Sequence, residues 1–120
     1  MRHNLEAMRD MGAIPRRVVA VGGGTRNATW LQTVSDITGV PQMVPEQTIG
    51  ASYGDAFMAG LASGIIPDRS VLNGQWVRPA RTYEPNPALF DMYSERYDIF
   101  RRLYESTKDD VHILAQSQLT

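Results

Sequence analysis

The chain contains no cysteine among its 120 residues. Disulfide bonds, thiolate nucleophiles and cysteine-ligated zinc or iron–sulfur sites are therefore excluded. No apolar run reaches the ~18 residues that a membrane-spanning helix needs. The N-terminal segment is polar and of mixed charge, unlike a signal peptide. Together these absences favour a cytoplasmic protein with no membrane partner.

An excess of charge of either sign is also missing. The chain has 12 Lys and Arg residues against 13 Asp and Glu residues, which gives a formal net charge of -1. A nucleic-acid partner is not expected, because binding nucleic acid requires a dense basic face. With 42% hydrophobic and 21% charged residues, the composition is that of one globular domain.

The spacing of apolar residues predicts an α/β alternation. We expect strands at residues 17–21 and 42–44, and helices at residues 4–11, 30–37, 50–63 and 87–104. The proline-rich stretch 65–87 is expected to be irregular, apart from a short extended piece at Trp76 and Val77. The segment after Lys108 is expected to fray or dock weakly.

The two predicted strands indicate that this fold is part of a larger sheet. The β-branched pair Val18 and Val19 is typical of a buried strand in a parallel sheet. Two short parallel strands with flanking helices make a poor sheet by themselves, and their unpaired edges invite another chain.

Residues 22–29, GGGTRNAT, carry the most chemical information. Glycines between a strand and a helix let a ligand approach the backbone, and the N–H groups at a helix start attract negative charge. This pattern is typical of a phosphate or nucleotide site, although neither Gly-x-Gly-x-x-Gly nor a Walker A motif is present. A tight turn with no ligand remains the alternative, with Thr25 and Asn27 acting only as helix caps.

No other group of residues predicts catalysis or metal binding. His3 and His112 lie near opposite ends of the chain, and the pair Asp109-Asp110 is typical of a solvated surface. We therefore assign no catalytic residue and no metal ligand.

The glycine-rich stretch and several segments after it occur in a recognisable order. They are AVGGGT (20–25), WLQ (30–32), SDITGVP (35–41), GASYGDAF (50–57), YSERY (93–97) and LY (103–104). This order resembles the adenosine motif, the small-residue helix and the last helix of the FGGY carbohydrate kinases, most closely their xylulokinase branch. The resemblance covers residues 1–108. It implies the distal part of the C-terminal, ATP-binding domain, with 109–120 as a C-terminal tail.

What the resemblance implies is an ATP-dependent sugar kinase with an actin-like, ribonuclease H-like fold. Such an enzyme transfers a phosphoryl group from ATP, with Mg²⁺, to a hydroxyl of a pentulose or related sugar. Carried over by position, Gly23, Gly24 and Thr25 match the phosphate and ribose side of the ATP site. Gly22, which stands where some relatives carry Asp, is assigned to the same site. Asn27 matches the adenine side.

The family's catalytic aspartate, its sugar-binding domain and its first phosphate-binding loops have no counterpart in this sequence. We therefore expect the end of a longer kinase, inactive by itself and partnered by the missing N-terminal domain. Whether Met1 is a natural start is left open. Two alternatives remain. One is a non-catalytic interaction module that forms homo-oligomers through its sheet edge, and the other is a nucleotide-binding βα domain unrelated to kinases.

Overall fold

The structure is a computed structural model that describes residues 1–15 and 18–117. Its helices and strands, in chain order, are α1 (Arg2–Asp10), β1 (Val18–Val19), α2 (Ala28–Thr38), β2 (Gln42–Pro45), α3 (Ala51–Ala62), β3 (Pro79–Tyr83) and α4 (Phe90–Ser117). The chain divides after Pro87 into two compact units, of which the first holds α1 to β3 and the second holds α4. Arg17, the predicted start of the first strand, lies outside the described residues.

The first unit is organised by a three-stranded sheet in the order β1-β2-β3. β1 pairs parallel to β2, with Val18 opposite Gln42, so the predicted pair of parallel strands is confirmed. β3 pairs antiparallel to β2, with Arg81 opposite Val44. The prediction of an irregular segment is therefore wrong at β3. This strand starts with a proline and is mostly exposed, so it lacks the apolar run that marks a buried strand.

α2 is specified by local signals at both of its ends. The side chain of Asn27 caps its start, and Gly39 ends it in the left-handed conformation at φ +65°. Leu31 and Val34 are buried beneath it. Trp30 is 58% exposed, although it is a large apolar residue, because it lies in the first turn of α2 next to the glycine-rich segment.

A buried polar network ties α2 to two strands. Ser35 is fully buried. Its Oγ donates to the backbone oxygen of Tyr83 on β3 at 2.9 Å and accepts from Nε2 of Gln42 on β2 at 3.0 Å. Gln42 Nε2 also donates to the backbone oxygen of Leu31 at 2.9 Å. These bonds fix the position of α2 on the sheet, and with it the turn that leads into the helix.

α4 continues past the point where the sequence predicts fraying. It is helical from Phe90 to Ser117, a stretch that contains neither proline nor glycine. An ion pair between Lys108 Nζ and Glu105 Oε2, 2.6 Å apart, lies just before the predicted boundary, and its hydrogen bond lowers the pKa of the Glu105 carboxyl group. The division between domain and tail at residues 108 and 109 stays a prediction.

Replacing Gly39 with alanine is expected to lower the free energy of unfolding by ~1 kcal/mol, because a Cβ is strained at this positive φ. The matched control is Gly54→Ala inside α3. There φ is ordinary and a Cβ meets nothing within 4 Å. This control should raise stability by up to ~1 kcal/mol. Urea unfolding of the two variants should therefore give shifts of opposite sign, and shifts of the same sign would contradict this assignment.

Candidate functional site

The candidate site is the turn that joins β1 to α2. Beyond β1, the chain stays beside β2 and the segment after it. Ala20 N donates to the oxygen of Met43 at 2.9 Å, and Gly22 N donates to the oxygen of Thr48 at 2.7 Å. Gly22 itself adopts φ +81° and ψ -168°, a conformation open only to glycine. The turn therefore begins at the carboxyl end of a parallel strand, where ligands bind in α/β sheets.

After Gly22 the backbone forms a single 3₁₀ turn, Gly23–Arg26. The backbone nitrogen and Oγ1 of Thr25 both donate to the oxygen of Gly22, at 3.1 and 2.7 Å. Asn27 N donates to the oxygen of Gly24 at 3.2 Å. These bonds close the turn without any contribution from the side of Gly23 and Gly24 that faces solvent, and both glycines are exposed.

Gly23 and Gly24 are not required by the fold of the chain itself. Neither has a positive φ. A Cβ on Gly23 would meet nothing within 4 Å, and one on Gly24 would meet only Trp30, at an ordinary 3.7 Å. A tight turn therefore explains Gly22 but leaves the next two glycines unexplained. The missing side chains leave the backbone of these two residues open to an external group.

Asn27 serves as the N-cap of α2, as one of the two predicted interpretations holds. Its Oδ1 accepts from the backbone nitrogen of Trp30 at 3.0 Å. The other end of its carboxamide, Nδ2, carries two N–H donors. The side chain of Asn27 is exposed at the start of the helix. Capping and a ligand contact at this residue therefore use different ends of the same group.

All five predicted site residues thus lie in one continuous segment, with Gly22 at its entrance and Asn27 at its exit. A cavity of about 200 Å³ lies beside this segment. It is lined by Thr25, Val44, Ala80, Arg81 and Tyr83. The contribution of β3 was missed at the level of sequence. The β-branched Thr82 followed by the aromatic Tyr83 is the signal that could have indicated a strand there.

Arg81 is held in place by Tyr83, two residues further along β3. Its Nη1 donates to the Tyr83 hydroxyl at 3.1 Å, and its Cζ lies 5.9 Å from the centre of the Tyr83 ring. The hydrogen bond to Tyr83 raises the pKa of the Arg81 guanidinium, which stays charged at all physiological pH values. One wall of the cavity therefore carries a fixed positive charge.

Within residues 1–15 and 18–117, no three His, Asp or Glu side chains come together in a way that could hold a metal ion. No helix in these same ranges is long and apolar enough to cross a membrane.

Comparison with known proteins gives the family. The model of the C-terminal domain of the FGGY family of carbohydrate kinases matches residues 1–63, more than half of the 120-residue chain. The chain belongs to this family. The match includes α1, both parallel strands, α2 and α3, and the whole candidate site except its β3 wall. A nucleotide-binding domain unrelated to kinases is therefore ruled out as an interpretation.

Individual FGGY relatives agree with this assignment. The xylulose kinase of Bacillus subtilis (strain 168) is 29% identical over 109 residues, which are 91% of this chain and 22% of the relative. The autoinducer-2 kinase of Enterobacter sp. (strain 638) is 33% identical over 103 residues, 86% of this chain and 19% of the relative. The chain thus spans about a fifth of the length of the curated relatives it matches.

Solved structures extend the likeness over nearly the whole chain. The crystal structure of xylulose kinase from Rhodospirillum rubrum matches with a TM-score of 0.75 and 27% identity, over 92% of this chain and 22% of that one. A xyloylose kinase from Brucella ovis matches with a TM-score of 0.66 and 29% identity, over 90% of this chain. The predicted fold class, an α/β part of an actin-like FGGY kinase domain, is confirmed.

Proposed function

We propose that this chain forms part of an ATP-dependent sugar kinase and supplies one wall of its nucleotide site. The observation that carries the proposal is the pair Gly23 and Gly24. The fold does not need glycine at either position, yet both present bare backbone in the 3₁₀ turn that leads into α2. A polyphosphate is the ligand that such a backbone suits, because it can approach the turn closely and the start of α2 just beyond the turn carries partial positive charge.

In this proposal successive residues of the turn contact successive parts of the nucleotide. Gly22 sets the direction of the chain, and Gly23, Gly24 and Thr25 lie against the phosphate and ribose portion of the nucleotide. Asn27 lies against the adenine, with the Nδ2 donors aimed at a ring nitrogen while Oδ1 keeps its bond to the helix. The proposal assigns no metal ligand to the described residues. Mg²⁺ accompanies the phosphates of ATP in the full enzyme.

The acceptor is proposed to be a pentulose or a related sugar. Two of the relatives are called xylulose kinase and autoinducer-2 kinase, so the family acts on more than one acceptor. The groups that bind the sugar and activate its hydroxyl are proposed to lie in the remaining four fifths of such a kinase. Phosphoryl transfer needs these groups for positioning and for a base.

The 120-residue chain is therefore expected to bind nucleotide weakly and to transfer no phosphoryl group. Calorimetric titration should give a dissociation constant for ADP of roughly 1 mM, typical of a few kcal/mol from one wall of a site. A coupled assay with ATP, Mg²⁺ and xylulose should show no turnover above background. Turnover by this chain alone would refute the proposal that the catalytic groups lie in the rest of the kinase. Failure to bind ADP at several millimolar would refute the nucleotide site.

An interaction module is the second candidate function, and one observation favours it. A cavity of about 190 Å³ between α3 and the sheet is walled by apolar side chains, among them Val19, Val21, Phe57 and Trp76. If this surface binds another copy, sedimentation should show a dimer that forms with rising concentration. A monomer at all concentrations would leave only the kinase proposal.

A further inference from the structure

The cavity beside the glycine-rich turn has a wall that none of the family's matched residues supplies. The FGGY match ends at residue 63, whereas β3 begins at Pro79. β3 nevertheless reaches the turn, because it pairs with β2 and places Arg81 opposite Val44. Thr25 on the turn and Arg81 on the strand line the same cavity of about 200 Å³.

The guanidinium of Arg81 is suited to an anionic group. It presents five N–H donors, and the bond to the Tyr83 hydroxyl uses one of them. The centre of the Tyr83 ring lies 5.9 Å from the guanidinium carbon, at the outer limit of a cation–π contact. The hydrogen bond to Tyr83 reduces the freedom of a long side chain, so less conformational entropy is lost when a ligand binds.

The charges around the cavity also favour an anionic ligand. Thr25 precedes the start of α2, where the partial positive charge of the helix is concentrated. Arg81, which lines the same cavity, adds a full positive charge. An arginine that served only to keep an edge strand soluble would need neither a hydrogen bond to Tyr83 nor a place beside the turn.

We infer that Arg81, positioned by Tyr83, contacts a phosphate group of the nucleotide bound at the glycine-rich turn. The inference rests on the proposed nucleotide site. It adds to that site a residue from β3. Arg81 contacts the charged phosphate and does not contact the base. It therefore contributes to the binding of ADP or ATP but not to that of adenosine.

The test compares ADP with adenosine in the 120-residue chain. Arg81→Gln removes the charge at an exposed position, and Tyr83→Phe keeps the ring but removes the hydroxyl that holds the guanidinium. Arg78→Gln is the matched control. Arg78 lies just before β3, donates to the oxygen of Gly74 and does not line the cavity. Binding is followed by amide NMR, which also reports whether each variant is folded.

Arg81→Gln should weaken ADP binding about tenfold, the size of a lost charge-assisted hydrogen bond, and leave adenosine binding within about twofold. Tyr83→Phe should weaken ADP binding about threefold, and Arg78→Gln should change neither ligand. Unchanged ADP binding in Arg81→Gln overturns the inference and leaves the proposed nucleotide site intact, as does an equal loss for ADP and adenosine. If the unmodified chain binds neither ligand, the proposed site fails and the inference fails with it.

Discussion

Replacing Gly24 with valine is expected to abolish measurable ADP binding while the chain stays folded. A Cβ at this position meets only the indole of Trp30, at distances of 3.7 and 3.8 Å, so the first unit tolerates it. The two methyl groups of valine would instead occupy the space through which a phosphate reaches the backbone of the turn. The expected effect is a loss of more than about tenfold in affinity, or more than about 1.4 kcal/mol.

The control for Gly24→Val is the same substitution at Gly54. A Cβ at Gly54 meets nothing within 4 Å, and Gly54 lies inside α3 and does not line the cavity beside the turn. Calorimetric titration with ADP should separate the two variants clearly, and circular dichroism should show the same helix content in both. Equal ADP affinity in the two variants would mean that the turn does not contact the nucleotide.

Replacing Ser35 with valine is expected to lower the free energy of unfolding by about 3 kcal/mol. The substitution removes the Oγ that donates to the Tyr83 oxygen and accepts from Gln42, so one part-buried group and one buried group each lose a partner at ~1 kcal/mol. The extra methyl enters a fully buried position, where overpacking costs another ~1 kcal/mol.

Ser52→Val provides the matched comparison for the Ser35 variant. Ser52 lies in the first turn of α3 and is exposed, so its loss should change stability by less than about 0.5 kcal/mol. Urea unfolding monitored by tryptophan fluorescence measures both variants. Similar midpoints for the two would show that the buried network does not hold α2 on the sheet.

Sequence reasoning succeeded where the signals are local. α2 could be placed because Asn27 and Gly39 mark its ends, and β1 and β2 because short apolar runs stop at glycine and proline. β3 could not be placed in the same way. Its residues are mostly exposed, and the strand exists because its backbone pairs with β2, which is a tertiary interaction.

The residues of the candidate site also differ in whether the sequence could predict them. The five predicted residues all lie within positions 22–27, so the turn from Gly22 to Asn27 could be found from the glycine pattern alone. Arg81 and Tyr83 come from a distant part of the chain and reach the turn only through the register of the sheet. The capping bond of Asn27 and the relaxed backbone of Gly23 and Gly24 are features of the folded chain that the sequence alone does not show. Those two glycines turned a common turn motif into a proposed ligand site.

The central claim, that the turn from Gly22 to Asn27 binds the nucleotide, is tested most directly by amide NMR during a titration with ADP. The largest shifts should fall on residues 22–27 and on the first turn of α2, with smaller shifts at Arg81 and Tyr83. The amides of α4 beyond Lys108 should not move. Shifts that saturate with ADP but fall elsewhere, or no shifts at several millimolar ADP, would contradict the account.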